Sequence, residues 1–150
     1  MKLLILGLRR CSVILTLSAA ISFLSVSCAE TKFSQCKQII EITMRIANET
    51  KNLSDNGKTK DPQEALQVAD AFEEAAEEMK AFEIKDQQLL EYQDGFAEMY
   101  VGMSQATRDF VAALDRKDVS AAKSAKKQLQ KLGSTERKLV SGMNSYCQEN

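Results

Sequence analysis

The stretch FLSVSCAETKFSQCKQ, residues 23–38, holds two cysteines, Cys28 and Cys36, and the chain differs in kind on either side of it. Upstream, residues 12–26 (SVILTLSAAISFLSV) carry no charge. Downstream the chain is rich in charge, with Pro62 as its one proline and apolar residues recurring at steps of three and four. Cys28 closes the first region and Cys36 opens the second, so the two thiols belong to two chemistries. What becomes of Cys36 decides the fold.

The upstream region has a basic head (Lys2, Arg9, Arg10), an apolar run and then small residues. That order is the pattern of a secretory signal peptide. The run is shorter than the roughly 20 apolar residues that a membrane-spanning helix needs. Small residues frame two cuts: Ser25 and Ser27 before Cys28, and Ser27 and Ala29 before Glu30.

The first cut, Ser25-Val26-Ser27-Cys28 with Leu24 ahead of it, resembles the lipobox of bacterial lipoproteins. Ser25 stands where that motif prefers leucine. The resemblance implies a signal peptide over residues 1–27, a lipid (palmitate) anchor on the sulfur of Cys28 and a short tether over residues 28–33. It further implies a protein held to a membrane on the periplasmic or another extracytoplasmic face. Each buried acyl methylene adds about 0.8 kcal/mol of membrane affinity. The cut before Glu30 implies instead a soluble secreted or periplasmic protein.

About 120 residues remain, one domain's worth and enough to bury a core. They keep Cys36 near one end and Cys147 near the other. In an oxidising compartment such a pair becomes a disulfide. Cys36–Cys147 would close a loop whose cross-linking stabilises by roughly 4–5 kcal/mol in the chain-entropy model. The alternative is two buried thiols acting as small hydrophobes.

Four stretches carry helical periodicity and none reads as a strand. The first, residues 34–53, places Cys36, Ile39, Thr43, Ile46, Thr50 and Leu53 on one face, widened by Ile40 and Ala47. A polar loop over residues 54–61 follows. The second helix opens at DPQE, with Asp61 as N-cap, Pro62 at N1 and Glu64 at N3. Its stripe is Ala65, Val68, Phe72, Ala75, Met79 and Phe82. Asp86 caps the third, with Leu89, Phe96, Tyr100, Met103, Thr107, Phe110 and Leu114 inward. Asp118 caps the fourth, with Ala122, Ala125, Leu129, Leu132, Leu139, Met143 and Tyr146 inward. Glu136 interrupts that last stripe, Gly133 offers a kink, and Gly95 and Gly102 allow a small-residue neighbour to approach the third helix. The spacing suits helices packed at shallow angles. An up-and-down bundle brings its first and last ends together only when the helix number is even. Four helices and a Cys36–Cys147 bond therefore support each other, and the expected fold is all-α: an up-and-down four-helix bundle over residues 34–150, behind a signal peptide.

The chain has no histidine. This removes Ser-His-Asp and Cys-His nucleophilic sites, histidine-ligated zinc and haem, and the Glu-x-x-His di-iron bundles. No Gly-rich phosphate loop is present. Glu73, Glu74, Glu77 and Glu78 flank an apolar stripe and read as a solvated face rather than a cation site; Met99 and Met103 read as core filler rather than soft-metal ligands. No catalytic residue, metal or cofactor is expected.

Charge is segregated. Residues 61–83 hold eight acids and one base, whereas residues 116–138 hold eight bases and two acids. The basic stripe reads either as a solvated face or as a surface for anionic lipid or an acidic partner. No aromatics interleave with it, which argues against nucleic acid. The last two helices are also predicted to be longer than the first two, leaving their hairpin projecting by roughly 13 Å away from the disulfide. Its tip would carry Phe110, Val111, Leu114 and Val119 beside Arg108, Arg116, Lys117 and Lys123. The expected function is a non-catalytic, membrane-tethered interaction or accessory module whose tip docks a protein partner; the alternative is a carrier whose bundle core opens for an apolar ligand.

Overall fold

The computed structural model describes residues 31–53 and 61–149. They form four helices, α1 (Lys32–Leu53), α2 (Pro62–Ala81), α3 (Gln87–Asp115) and α4 (Val119–Gln148), with no strand among the described residues. The expected all-α bundle is the observed one. The signal peptide, the Cys28 anchor and the 54–60 loop lie outside the described residues. Of the expected tether, Lys32 and Phe33 already belong to the first turn of α1.

Three aspartates start three helices. Asp61 accepts from the Gln63 amide at 2.8 Å, Asp86 from Leu89 at 3.0 Å and Asp118 from Ala121 at 2.9 Å. Each satisfies an amide that the first helical turn leaves unbonded.

The helices are not equal partners. α3 is the centre: α2 packs along one side of it and α4 along another, while α1 packs on α2 and meets α3 and α4 only lightly. α2 and α4 do not pack on each other. Burial follows this order, with twelve buried residues on α3 but only three on α4, Ala122, Ala125 and Met143. On α1 the buried face is Gln35, Cys36, Ile39, Ile42 and Ile46. Ile42 thus replaces the expected Ala47, which is exposed. Thr43 and Thr50 return their hydroxyls to the helix's own carbonyls.

Gly95 and Gly102 do admit a close neighbour, but it is leucine rather than a small residue. A Cβ at Gly95 would lie 2.9 Å from a Leu139 methyl, and one at Gly102 3.1 Å from a Leu132 methyl. Two knobs one heptad apart on α4 thus seat in two glycine hollows on α3, which offsets the roughly 1 kcal/mol that glycine costs in a helix interior. At Gly133 α4 continues as one helix.

The longer helices do not project as a two-helix hairpin. The Gln93 side-chain amide donates to the carbonyls of Met79 and Phe82, placing Gln93 level with the end of α2. Because α3 begins six residues earlier, at Gln87, it outruns α2 by about 9 Å at this pole. The extended link through Phe82 and Ile84 to Asp86 runs back beside it. At the other pole Arg108 binds Asp70 and Glu73, and from there α2 and α3 have similar lengths left. α2 therefore reaches the level of α3's end. The extra length sits at the disulfide pole because extended backbone rises more than twice as far per residue as a helix.

That pole is a clasp. Cys36 and Cys147 are bonded, with Cα atoms 6.0 Å apart. Gln35, beside Cys36, accepts from the amides of Lys85 and Asp86 at 2.7 and 3.1 Å. Tyr146, beside Cys147, donates its hydroxyl to the Asp86 carboxylate at 2.9 Å. Lys32 lies over the Tyr146 ring, 4.0 Å from its centre. The amide of Leu89, helped by the Tyr146 hydroxyl, holds the Asp86 carboxyl below its ordinary value against the opposing effect of desolvation.

Candidate functional site

The predicted tip residues fall into two groups. Val111 is buried at 6% exposure and belongs to the core, and Phe110 is half-buried. Leu114 and Val119, by contrast, are 51% and 79% exposed, with Arg116, Lys117 and Lys123 also exposed. Arg108 is committed to Asp70 and Glu73, whose hydrogen bonds hold its guanidinium pKa above the ordinary value. What remains is a compact patch around the α3–α4 turn: two aliphatic side chains, the adjacent cations Arg116 and Lys117, and the exposed carboxylates Asp115 and Asp118 on either side of them.

The turn is built from hydrogen bonds. The amide of Asp118 donates to the Ala113 carbonyl at 2.8 Å and that of Lys117 to the Leu114 carbonyl at 2.9 Å. This paired closure normally places glycine in the left-handed position at its centre. Here the position is Lys117, at φ 54°. A side chain in this conformation costs on the order of 1 kcal/mol or more. Sequence reading selected Lys117 for its charge and missed its backbone. The available signal was a connection, DRKD, too short to avoid a left-handed residue and lacking any glycine to take it.

The other exposed large apolar residues do not gather. Phe33 stands at the disulfide pole, Met44 midway along α1 and Val101 midway along α3. Isolated exposures of this kind are ordinary.

Inside the bundle, Tyr100 is 1% exposed, stacked between Phe72 and Phe96, and its hydroxyl has no hydrogen-bond partner. Burial, and secondarily the charge of Glu136, push its ionisation up. Glu136, on the inner side of α4, is half-buried, and desolvation raises its carboxyl pKa against the opposing charge of Arg137. Between α1 and α2 lies a surface groove of about 360 Å³, bordered by Ile42, Arg45, Glu78 and Phe82 and bridged by an Arg45–Glu78 ion pair. It is open to solvent rather than enclosed in the core.

Among the described residues no group of three or more histidine, cysteine, aspartate or glutamate side chains is placed to hold a metal ion. No described helix is long and apolar enough to cross a membrane. No protein-family model matches the chain, and no curated protein or solved structure matches it either.

Proposed function

We propose that the protein is exported, lipid-tethered through Cys28, and acts as a non-catalytic interaction module whose α3–α4 turn docks an acidic protein surface with an apolar centre. The observation that carries this reading is Lys117. A strained, charged residue occupies a position that glycine would fill at lower energy, between two exposed aliphatic side chains. Strain of this kind is retained where a side chain has work to do. Exposed apolar residues with charged neighbours, here Asp115, Arg116, Lys117 and Asp118, are suited to a docking centre with a polar rim. The Cys36–Cys147 bond supports an oxidising compartment. The lipobox-like residues ending at Cys28 support the tether.

The test uses a photo-crosslinking side chain placed at Leu114, at Val119 and, as a control, at Met44, in cells making the full chain. The same partner is expected from the first two positions and not from the third. Leu114→Ser with Val119→Ser should abolish it while leaving helicity unchanged. Lys117→Gly should weaken capture and raise the melting temperature together, which separates the role of the side chain from folding. Equal crosslinking at Met44, or Lys117→Gly that binds as wild type, would overturn the reading. An apolar small molecule retained by the purified protein would replace it with a carrier function.

A further inference from the structure

The outer face of α4 carries a second surface, which adjoins the docking patch at Val119. Its bases are Lys123, Lys126, Lys127, Lys131, Arg137 and Lys138, all exposed, and its single acid, Glu136, is turned to the inner side. At 3.6 residues per turn these six fall within a sector of about 140°, along roughly 22 Å of helix. Ser120, Gln130, Ser134 and Ser141 share that sector, which holds no carboxylate and, beyond Val119 at its end, no apolar side chain.

The fold gives this charge no ion pair. The ion pairs among the described residues are Lys37 with Glu41, Arg45 with Glu49 and Glu78, and Arg108 with Asp70 and Glu73. Every one lies on α1, α2 or α3. The acids of α2 thus receive cations from both helices that flank them, while the bases of α4 receive no acid. α2 cannot supply one, because α3 stands between the two. The molecule is therefore polarised across its short axis, acidic at α2 and basic at α4.

We infer that the outer face of α4 lies against an anionic lipid surface, so that the bundle rests side-on at the membrane with α2 turned away. The choice of lipid over protein rests on the side chains. Five of the six bases are lysines, which act as hydrated point charges, whereas arginine is the residue that forms fixed forked pairs with carboxylates. Lysines spread over a broad sector, with no apolar residue among them, suit a diffuse layer of headgroup charge better than a shaped protein pocket. The polarity across the bundle adds a torque with the same outcome, since the α2 side is repelled by that layer.

The full chain is incubated with vesicles of phosphatidylcholine alone or with added phosphatidylglycerol, treated with an amine-acylating reagent, and its lysines are scored one by one by mass spectrometry. Labelling of Lys123, Lys126, Lys127, Lys131 and Lys138 should fall about fivefold on the anionic vesicles only, and return in high salt as screening sets in. Lys37, Lys51 and Lys80, exposed on α1 and α2, serve as controls and should label equally on both. Lys126→Gln with Lys127→Gln and Lys131→Gln should remove the protection of Lys123 and Lys138 while helicity is retained. Equal labelling on both vesicle types overturns the inference. So does protection that appears only in native membranes containing protein, which would assign the face to a protein partner, or protection that grows with protein concentration without vesicles, which would assign it to a second copy.

Discussion

Breaking the Cys36–Cys147 bond tests the construction of the bundle most directly. The bond closes a separation of 111 residues, nearly the whole described fold. In the chain-entropy model a loop of that size restricts the unfolded state by about 5 kcal/mol. A domain of this size has a total stability of roughly 5–15 kcal/mol, so a third or more would be lost. At roughly 3–5 °C per kcal/mol for a chain of this length, the melting temperature should fall by about 15–25 °C on reduction.

The structure sharpens this further. α1 meets α4 only lightly, so the bond is the principal tie between the first and last helices. After reduction the Gln35 contacts to Lys85 and Asp86 still hold the start of α1, but its packing rests on α2. Amides of α1 should therefore lose hydrogen-exchange protection first, while α3 keeps most of its own. Reduction is the cleaner perturbation, because Cys36 is 2% exposed and an alanine there would add a small cavity. Calorimetry with and without reductant, followed by native-state exchange, gives both quantities. A shift under about 5 °C, or exchange that rises uniformly over all four helices, would refute the reasoning.

Two further perturbations probe the interior. Gln93→Ala should cost about 2–3 kcal/mol in urea unfolding, because it strips partners from the carbonyls of Met79 and of Phe82, the C-cap of α2; a loss below about 0.5 kcal/mol would mean water takes its place. Glu136 has a folded pKa raised above its ordinary 4.5 by desolvation, so the folded state holds its proton more tightly than the unfolded one. Stability then declines as pH rises from the unfolded value through the folded one, and the deficit is complete above the folded pKa. Glu136→Gln should accordingly raise the melting temperature at neutral pH, with the gain vanishing toward pH 4; an equal gain at both pH values would exclude titration as its cause.

Local signals in the sequence were sufficient for the elements. Asp61, Asp86 and Asp118 announce helix starts because the capping bond spans only two or three residues. The stripe of α3 located Leu89, Phe96, Tyr100 and Met103 correctly because that helix is covered on several sides. The same rule placed Leu114 inside and it is outside. Periodicity reports which side of a helix is apolar but not which levels of that side a neighbour covers: at this end of α3 Val111 and Ala113 are buried while Leu114 is not. The roles of Gln35 and Gln93 were not legible, since each joins elements distant in sequence and a glutamine in a helical stretch looks like any surface residue. The path from Phe82 to Asp86 was missed for a related reason. Phe82 continues the period of α2, yet it is the C-cap, and Ile84 is buried from an extended segment that has no helical phase. For the docking patch, the charge and apolarity were readable, but the left-handed backbone of Lys117 was not.

The one-sided burial of α4 bears on how its outer charge can be used. A 30-residue helix with three buried residues is held by little core, and half-buried Leu132 and Leu139 contribute through the glycine hollows of α3. Both of its ends are nevertheless fixed. The N-terminus follows a closed turn capped by Asp118, and the C-terminus carries Cys147 and the Tyr146–Asp86 bond. Pinned at both ends and seated at two points between, α4 behaves as a strut. Its lysines are then presented at fixed intervals, although each side chain remains flexible. A basic segment in a disordered tail would draw the same charge to a surface without orienting what it carries. Mounted on this strut, the charge fixes which side of the bundle faces that surface. The α3–α4 turn, at the end of α4 away from the disulfide, is then left pointing along the surface rather than into it.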